Sequence, residues 1–481
     1  MAKRRALGTV RTLRDFLASA RRTHLKSEQR ALLVDEAIVI LQKFYVHLPF
    51  KRQMHGIDPI RQLQLLKQRL SDLPEDDDIP FHREMVNIFD SLRDLHTSYR
   101  LPAPFSTAVA FLPFQVEECT VDHRRQYIIS NLITDSQQVS SDVDAGWRND
   151  LLRISRQTRR FLKAHSDLWD HAKPPRNGRR VATGVQVTHW NGAPIESAID
   201  VIAVRCPAGN AEARHARAID RLTLRPMTRS LPPEEESITI RYLTTSGKSK
   251  ELTAEWLVFV PPERPTEAKL PSFIQGRDIE ADISRRARLA LHVPKLLADE
   301  LTFAANGNSP PRLRTGIPRK GTRIPTTKPS VFDAEVFEYR GKCYGFIGIR
   351  TFSDNAQVIV EEFARLTRRM PTNGLVIDVR SNGGGIIRAG ERMLQILSPT
   401  PIEPERFQLI VSDQTKRLPH LESTYLAWGS SIARAEQTGA NFSAAFSISD
   451  PGNQDICNDI GQLYEGPVVL IIDALCYSTT D

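Results

Sequence analysis

Residues 374–385 read Gly374-Leu375-Val376-Ile377-Asp378-Val379-Arg380-Ser381-Asn382-Gly383-Gly384-Gly385. A short, continuously apolar run passes through polar residues into three successive glycines. Such a run, bounded by turn signals, suits a strand buried on both faces. A glycine triplet between a strand and a helix leaves backbone N–H groups uncovered by side chains, and such donors can hold a developing anion. The plainer readings of the triplet are a phosphate site or a tight turn. Asp378 and Arg380 read as an ion pair that holds the loop.

The flanking segments extend this pattern. Upstream, Gly345–Phe352 is strand-like, and a helix follows with Ile359, Phe363 and Leu366 on one face. Downstream, a helix runs through Met393 and Leu397. After an irregular stretch, Val468–Ile472 is again a continuous apolar run. Apolar strands alternating with helices indicate a parallel sheet covered on both faces. The last strand reads as ending at Asp473. A small turn then leads to Ser478, where a helix can begin with Thr479, Thr480 and Asp481. A serine at a strand-to-helix turn has an exposed Oγ and a favourable helix dipole; its ordinary alternative is an N-cap. Cys476 reads as a buried turn cysteine.

Further out, residues 1–105 read as helical. Ser27 precedes a run with Leu33, Ala37, Ile40 and Phe44 on one face. Asp58-Pro59 is an N-cap followed by proline at the first helical position, and Leu63, Leu66 and Leu70 then share a face. A third helix carries Met85, Ile88 and Leu92 and ends in Asp94-Leu95-His96-Thr97. Residues 106–177 form a mixed connecting region with a strand-like stretch at Ala108–Val116 and a polar helix after Asp142. Residues 178–262 read as a small α+β module: alternation at Val185, Val187 and His189, a tight turn at Asn191-Gly192, a helix over Ala211–Leu222 with a solvated His215, and strands through Ile238–Tyr242 and Leu252–Val260. Residues 263–330 read as a Pro-rich, basic linker or lid. Its part from Thr302 to Ser330 holds Arg312, Arg314, Arg319, Lys320, Arg323 and Lys328 and no acidic residue. The α/β core occupies 331–481.

The composition removes several classes. A chain of 481 residues suggests about three domains. With 40% hydrophobic and 25% charged residues it is neither globally disordered nor a membrane bundle. The net charge of +8 comes from basic pairs scattered along the chain without aromatic interleaving, which argues against nucleic acid as a partner. Cys119, Cys206, Cys343, Cys457 and Cys476 are far apart and include no CxxC pair, which argues against a disulfide framework or a zinc site. No metal or cofactor is expected. The N-terminus is basic but lacks an apolar signal region, and no apolar run reaches the ~18 residues of a membrane span. The chain as given therefore reads as cytoplasmic.

Two motifs taken together resemble a known family. Gly374–Gly385 is similar to the signature of the carboxyl-terminal processing (tail-specific) proteases and their tricorn relatives. Gly466–Asp481 resembles that family's nucleophile segment, with Ser478 at the nucleophile and Asp481 at the acidic position. Asp94-Leu95-His96-Thr97 resembles the family's D-x-H-[TS] element, and Tyr344–Phe352 the lead-in to its core. The resemblance implies a ClpP/crotonase-like catalytic core, an N-terminal helical domain and a PDZ-like module at 178–262. It implies serine endopeptidase chemistry on polypeptides, at unstructured segments or chain ends. Ser478 is then the nucleophile, and the backbone N–H groups of Gly384 or Gly385 and of Thr479 form the oxyanion hole.

A serine needs a base. In tail-specific proteases this is a lysine on an element after the serine, so the resemblance leads us to expect a chain cut just past its nucleophile. In tricorn-like members a histidine of the helical domain serves instead, and His96 stands at the matching position. Its ordinary pKa near 6.5 suits the role; alternatively His96 only pins the end of that domain. The competing function is a non-catalytic module that binds peptides or apolar ligands on the same fold.

Overall fold

The computed structural model describes residues 9–20, 24–132, 184–244, 246–260, 321–328, 331–421, 426–447 and 457–480. The expected polar helix after Asp142, the basic segment up to Lys320, and Asp481 lie outside these residues. The protein is a mixed α/β chain with several sheets. It divides into two compact units. The described residues of the first are 9–20, 24–30, 68–132, 184–244 and 246–260; those of the second are 31–67, 321–328, 331–421, 426–447 and 457–480.

The chain opens with strand β1 (Thr9–Thr12) and helices α1 (Leu13–Ala20), α2 (Ser27–Lys43), α3 (Leu48–His55), α4 (Pro59–Gln68) and α5 (Ile79–Asp90). Asp58 caps α4 by accepting from Arg61 N–H at 3.2 Å. Leu63 and Leu66 are fully buried, and Leu70 is buried just beyond the helix. The inward stripe of α2 differs from the expected one. Val34, Ala37 and Leu41 are buried, whereas Ile40 and Phe44 are exposed. Both stripes have helical spacing. A helix carrying Leu32, Leu33, Val34, Ile38, Val39 and Ile40 is apolar nearly all round, so periodicity alone selects no single face.

Next come β2 (Val109–Phe111), β3 (Phe114–Val121), β4 (Arg124–Leu132), β5 (Gln186–Trp190), β6 (Ala193–Pro194), α6 (Ile195–Val204), α7 (Ala211–Thr223), β7 (Leu224–Pro226), β8 (Ser237–Leu243), β9 (Ser249–Glu255) and β10 (Leu257–Val260). One antiparallel sheet has the order β1-β10-β2-β7. A second has the order β3-β4-β5-β8-β9, with β6 paired to β5. Two segments that read as single strands each cross from one sheet to the other. Ala108–Val116 breaks between β2 and β3 at Leu112-Pro113, where proline has no N–H to give a ladder. Leu252–Val260 breaks at Trp256, whose side chain is buried and whose backbone N–H donates to Glu236 O at 2.9 Å. The Asn191-Gly192 turn joins β5 to β6 with both residues at positive φ, +48° and +82°. His215 is not a solvated side chain: its Nε2 lies 2.6 Å from Glu118 Oε2, and its ring packs near Tyr127. His82 is fully buried, and burial lowers its pKa to about 4; its Nδ1 lies 2.9 Å from Tyr99 Oη.

The second unit is built on β11 (Gly321–Arg323), β12 (Phe332–Tyr339), β13 (Lys342–Ile349), α8 (Ala356–Thr367), β14 (Leu375–Asp378), α9 (Ile387–Leu397), β15 (Arg406–Phe407), α10 (Leu418–Leu421), α11 (Leu426–Thr438), β16 (Phe446–Ser447) and β17 (Val468–Ile471). Its main sheet has the order β11-β12-β13-β14-β17. The expected parallel pattern is present from β13 through β14 to β17, with Ile347 opposite Ile377 and Ile377 opposite Leu470. The sheet as a whole is mixed, because β11, β12 and β13 pair antiparallel. Ile359, Phe363 and Leu366 of α8 are buried in its core with Met393 and Ile396 of α9. Glu362 on α8 accepts from Thr326 Oγ1 at 2.6 Å, from Thr327 N–H at 2.8 Å and from Arg365 at 2.7 Å. Burial alone would raise this carboxyl; the hydrogen bonds outweigh it and bring the pKa down to about 2. Among the described residues β17 is, with β11, an edge strand of this sheet, and it departs from the expectation of a strand covered on both faces: Val469 and Leu470 are 59% and 56% exposed.

Candidate active site

The Gly loop and the turn that carries Ser478 both belong to the second unit. They follow neighbouring parallel strands, β14 and β17, so the register that pairs Asp378 with Ile471 brings the two exits side by side.

The loop is built as follows. Arg380 pairs with Asp378 in a forked contact, at 2.9 Å from Nε to Oδ1 and 2.6 Å from Nη2 to Oδ2. Asn382 is completely buried. Its Nδ2 donates to Ile349 O at 3.0 Å, and its Oδ1 accepts from Gly384 N–H at 2.9 Å. The loop thus spends on itself one of the N–H groups that the family resemblance assigns to an oxyanion. Phe352 N–H donates to Gly384 O, and Ile386 N–H donates to Phe352 O, both at 2.9 Å. These bonds set Gly385 beside Phe352 as an isolated parallel bridge. A side chain on Gly385 would meet Phe352 backbone carbon at 2.2 Å, so only glycine fits that approach.

The serine turn is tied to this loop at four places. Ser381 N–H donates to Asp473 Oδ1 at 2.9 Å, and Ser381 Oγ to Asp473 Oδ2 at 3.1 Å. Cys476 Sγ donates to Val379 O at 3.1 Å. Tyr477 N–H donates to Asn382 O at 3.2 Å. Thr479 Oγ1 donates to Gly385 O at 3.0 Å. Burial pushes the Cys476 thiol up to about 11, so it stays protonated at neutral pH.

Ser478 itself has φ +63°, a left-handed conformation uncommon for a residue with a side chain. It opens the short 3₁₀ turn Ser478–Thr480. Gly384, at φ +88°, lies directly against it: a Cβ there would come within 2.6 Å of Tyr477 O and 2.8 Å of Ser478 Cβ. Among the described hydrogen bonds, the N–H groups of Gly385 and Thr479 have no acceptor. The structure therefore brings Ser478, Thr479, Gly384 and Gly385 together.

His96 belongs to the first unit. Its N–H donates to Asp94 Oδ1 at 2.9 Å, an Asx-type turn that follows Arg93 at φ +51°. Leu95 is buried, and its carbonyl accepts from the buried Arg229 Nη1 at 3.1 Å. The Asp94–Thr97 segment is thereby fixed on both sides of the backbone while the His96 side chain stays exposed. Among the described residues no cluster of three or more His, Cys, Asp or Glu has the geometry to hold a metal, and no helix is long and apolar enough to cross a membrane.

The sequence reading missed Asn382 and Asp473. Asn382 was visible as an Asx residue just before a glycine triplet. Asp473 was visible only as the polar end of an apolar run, with nothing to say that it reaches Ser381.

Residues 343–481 match the model of peptidase family S41. Among solved structures, the chain is similar to mature CPAF, with a TM-score of 0.58 and 14% identity over 94% of this chain and 80% of that one. It is likewise similar to mature CPAF complexed with lactacystin, with a TM-score of 0.56 and 15% identity over 93% and 79%. These likenesses show a shared fold. The photosystem II D1 C-terminal processing protease aligns at 11% identity over 92% and 74%, but its TM-score of 0.26 supports no argument. No curated protein matches the chain.

Proposed function

From the match of residues 343–481 to peptidase family S41, we propose that the chain is a serine-type endopeptidase with Ser478 as its nucleophile, acting on unstructured polypeptide segments or chain ends. The observation that carries this reading is the left-handed Ser478 packed against Gly384, with no room there for a side chain. A serine held on such a turn presents its Oγ away from the backbone that grips it. The core is read as ClpP/crotonase-like, and residues 178–262 as a PDZ-like module.

The oxyanion hole is assigned to Gly385 N–H and Thr479 N–H. Both lack an acceptor among the described bonds, whereas Gly384 N–H serves Asn382. In an extended segment the N–H and C=O of one residue point to the same side. Gly385 C=O meets Thr479, which supports its N–H facing the serine turn as well. Each donor is worth about 2.7–4 kcal/mol of barrier in comparable sites.

In the mechanism, Ser478 Oγ attacks the scissile carbonyl while a base takes its proton. The carbonyl oxygen, now an anion, is held by the two N–H groups. Collapse expels the amine, which receives the proton, and water then hydrolyses the acyl-enzyme by the same steps. His96 is the candidate base, on its position in the D-x-H-T element. Ser478→Ala abolishes cleavage of a flexible protein substrate and labelling by a fluorophosphonate, with the circular dichroism spectrum unchanged. A Ser478→Ala protein that still cleaves sinks the reading. If the intact protein neither cleaves nor labels, the binding-module alternative replaces it. His96→Ala lowers kcat by about 10²-fold or more if His96 is the base, and leaves it unchanged if it is not.

A further inference from the structure

Resting on the reading of Ser478 as the nucleophile, we propose that Asp473 is a positioning residue that clamps the Gly loop against the serine turn and so sets the two oxyanion donors in register.

Asp473 follows β17, and its carboxylate accepts four hydrogen bonds, one of them from Cys476 Sγ to Oδ1 at 3.6 Å. Oδ1 takes Ser381 N–H at 2.9 Å and Leu475 N–H at 3.0 Å, and Oδ2 takes Ser381 Oγ at 3.1 Å. Two of the four donors belong to one residue of the other loop. Hydrogen bonds to an ionised carboxylate are stronger than neutral ones. What they hold is a strained residue: Ser381 has φ +59°. A left-handed backbone is strained at a residue with a side chain and persists only where the surroundings over-determine it.

Ser381 leads directly into Asn382, and through Asn382 its conformation reaches both halves of the site. The Asn382 side chain receives Gly384 N–H and so fixes the glycine that lies against Ser478. The Asn382 carbonyl receives Tyr477 N–H, the residue before Ser478. Asp473 at one end of the serine turn and Tyr477 at the other therefore grip adjacent residues of the loop, Ser381 and Asn382. A simple ion pair does not account for Asp473, because the neighbouring Arg380 is already forked onto Asp378. Nor does Asp473 lie beside Ser478 in the chain. Its influence passes through Ser381 and acts when the oxyanion forms, which is a loss in kcat and not in ground-state binding.

The test uses Asp473→Ala, Asp473→Asn and Ser381→Ala in the otherwise intact chain. Asp473→Ala lowers kcat by about 10²-fold, the scale of a misplacement of ~1 Å, and shifts KM by no more than about twofold. Asp473→Asn keeps one acceptor oxygen and falls between Asp473→Ala and the wild type. The Ser381→Ala/Asp473→Ala double variant is no slower than Asp473→Ala alone, since both act through one contact. Additive losses, a loss carried by KM, or an unchanged kcat overturns the proposal. Hydrogen exchange at Ser381–Gly385 provides an arm that needs no turnover: Asp473→Ala speeds it, and unchanged exchange also overturns the clamp. Failure of the serine reading is seen separately, as a wild type that does not label at Ser478. A wild type that labels, beside an Asp473→Ala protein that labels equally fast, removes the clamp alone.

Discussion

β14 and β17 are parallel neighbours with the same plan: a short apolar strand, an aspartate near its end, then a turn containing a serine at positive φ. Their surroundings differ. Leu375 and Ile377 of β14 are buried, while Val469 and Leu470 of β17 are more than half exposed. Their aspartates differ in the same sense. Asp378 is spent within its own turn, on the N–H and guanidinium of Arg380. Asp473 is spent mainly on the other turn, through Ser381. The Gly loop is also anchored from the buried side, by Asn382 on Ile349 and by the Phe352 bridge. The serine turn in turn is held by the loop. The comparison teaches a hierarchy: the buried strand's turn has anchors of its own in the core and takes only the hold on Ser381 from Asp473, whereas the edge strand's turn is held chiefly by its ties to that loop.

The severest way to break that hierarchy is to separate the two turns where they touch most closely. Gly384→Ala puts a methyl group 2.6 Å from Tyr477 O at a φ of +88°. Both the clash and the backbone penalty fall on the contact between loop and turn. The expected loss in kcat/KM is about 10²–10³-fold, comparable with losing an oxyanion donor. The folded spectrum should be preserved, because the β14 side of the loop is untouched. Gly439→Ala is the control. It shares a positive φ, +73°, but its Cβ meets nothing within 4 Å. It should cost some stability and no activity; an equal loss of activity in both variants would mean that Gly384 acts only through general destabilisation.

Much of this site was legible in the sequence, and the limits are physical. An apolar tetrapeptide running into three glycines, and a second apolar run leading to Ser478, are local signals within a dozen residues. That β13, β14 and β17 run parallel follows from the same local pattern; which of them become neighbours does not. The bond from Ser381 to Asp473 spans 92 residues, and no local signal carries it, because it depends on which strands become neighbours. The jump between sheets at Trp256 was hidden for a related reason. The residues on both sides favour strand, and only packing decides that the chain leaves one sheet for another. The face of α2 was lost because its apolar residues run nearly all the way round.

A second test sharpens the claim that the serine turn is closed onto the loop. Cys476 Sγ is bonded to Val379 O, and burial holds its thiol near 11. At pH 8 roughly one molecule in a thousand then carries the thiolate, the only form that alkylates readily. Cys343 is an exposed free cysteine on β13. Iodoacetamide followed by peptide mass mapping should modify Cys343 first, with Cys476 slower by at least about 10-fold. The gap should narrow in Asp473→Ala, where the turn is released. Equal rates in the native protein would mean that the serine turn opens freely and does not depend on the loop.

The smallest effect is expected where the hierarchy says a contact is internal. Arg380→Ala removes the forked contact to Asp378, which looks strong on distance alone. The arginine is half exposed, though, and exposed ion pairs are worth at most about 1 kcal/mol. Arg380 N–H to Asp378 Oδ1, at 3.1 Å, is a backbone bond that survives the substitution. So do all four ties between loop and turn, none of which uses the guanidinium. The variant should therefore lose under about threefold in kcat and at most about 1 kcal/mol of stability in urea unfolding. If Arg380→Ala proved as damaging as Gly384→Ala, the guanidinium would be one of the anchors of the loop, and the contrast between the two strands would fail at its simpler half.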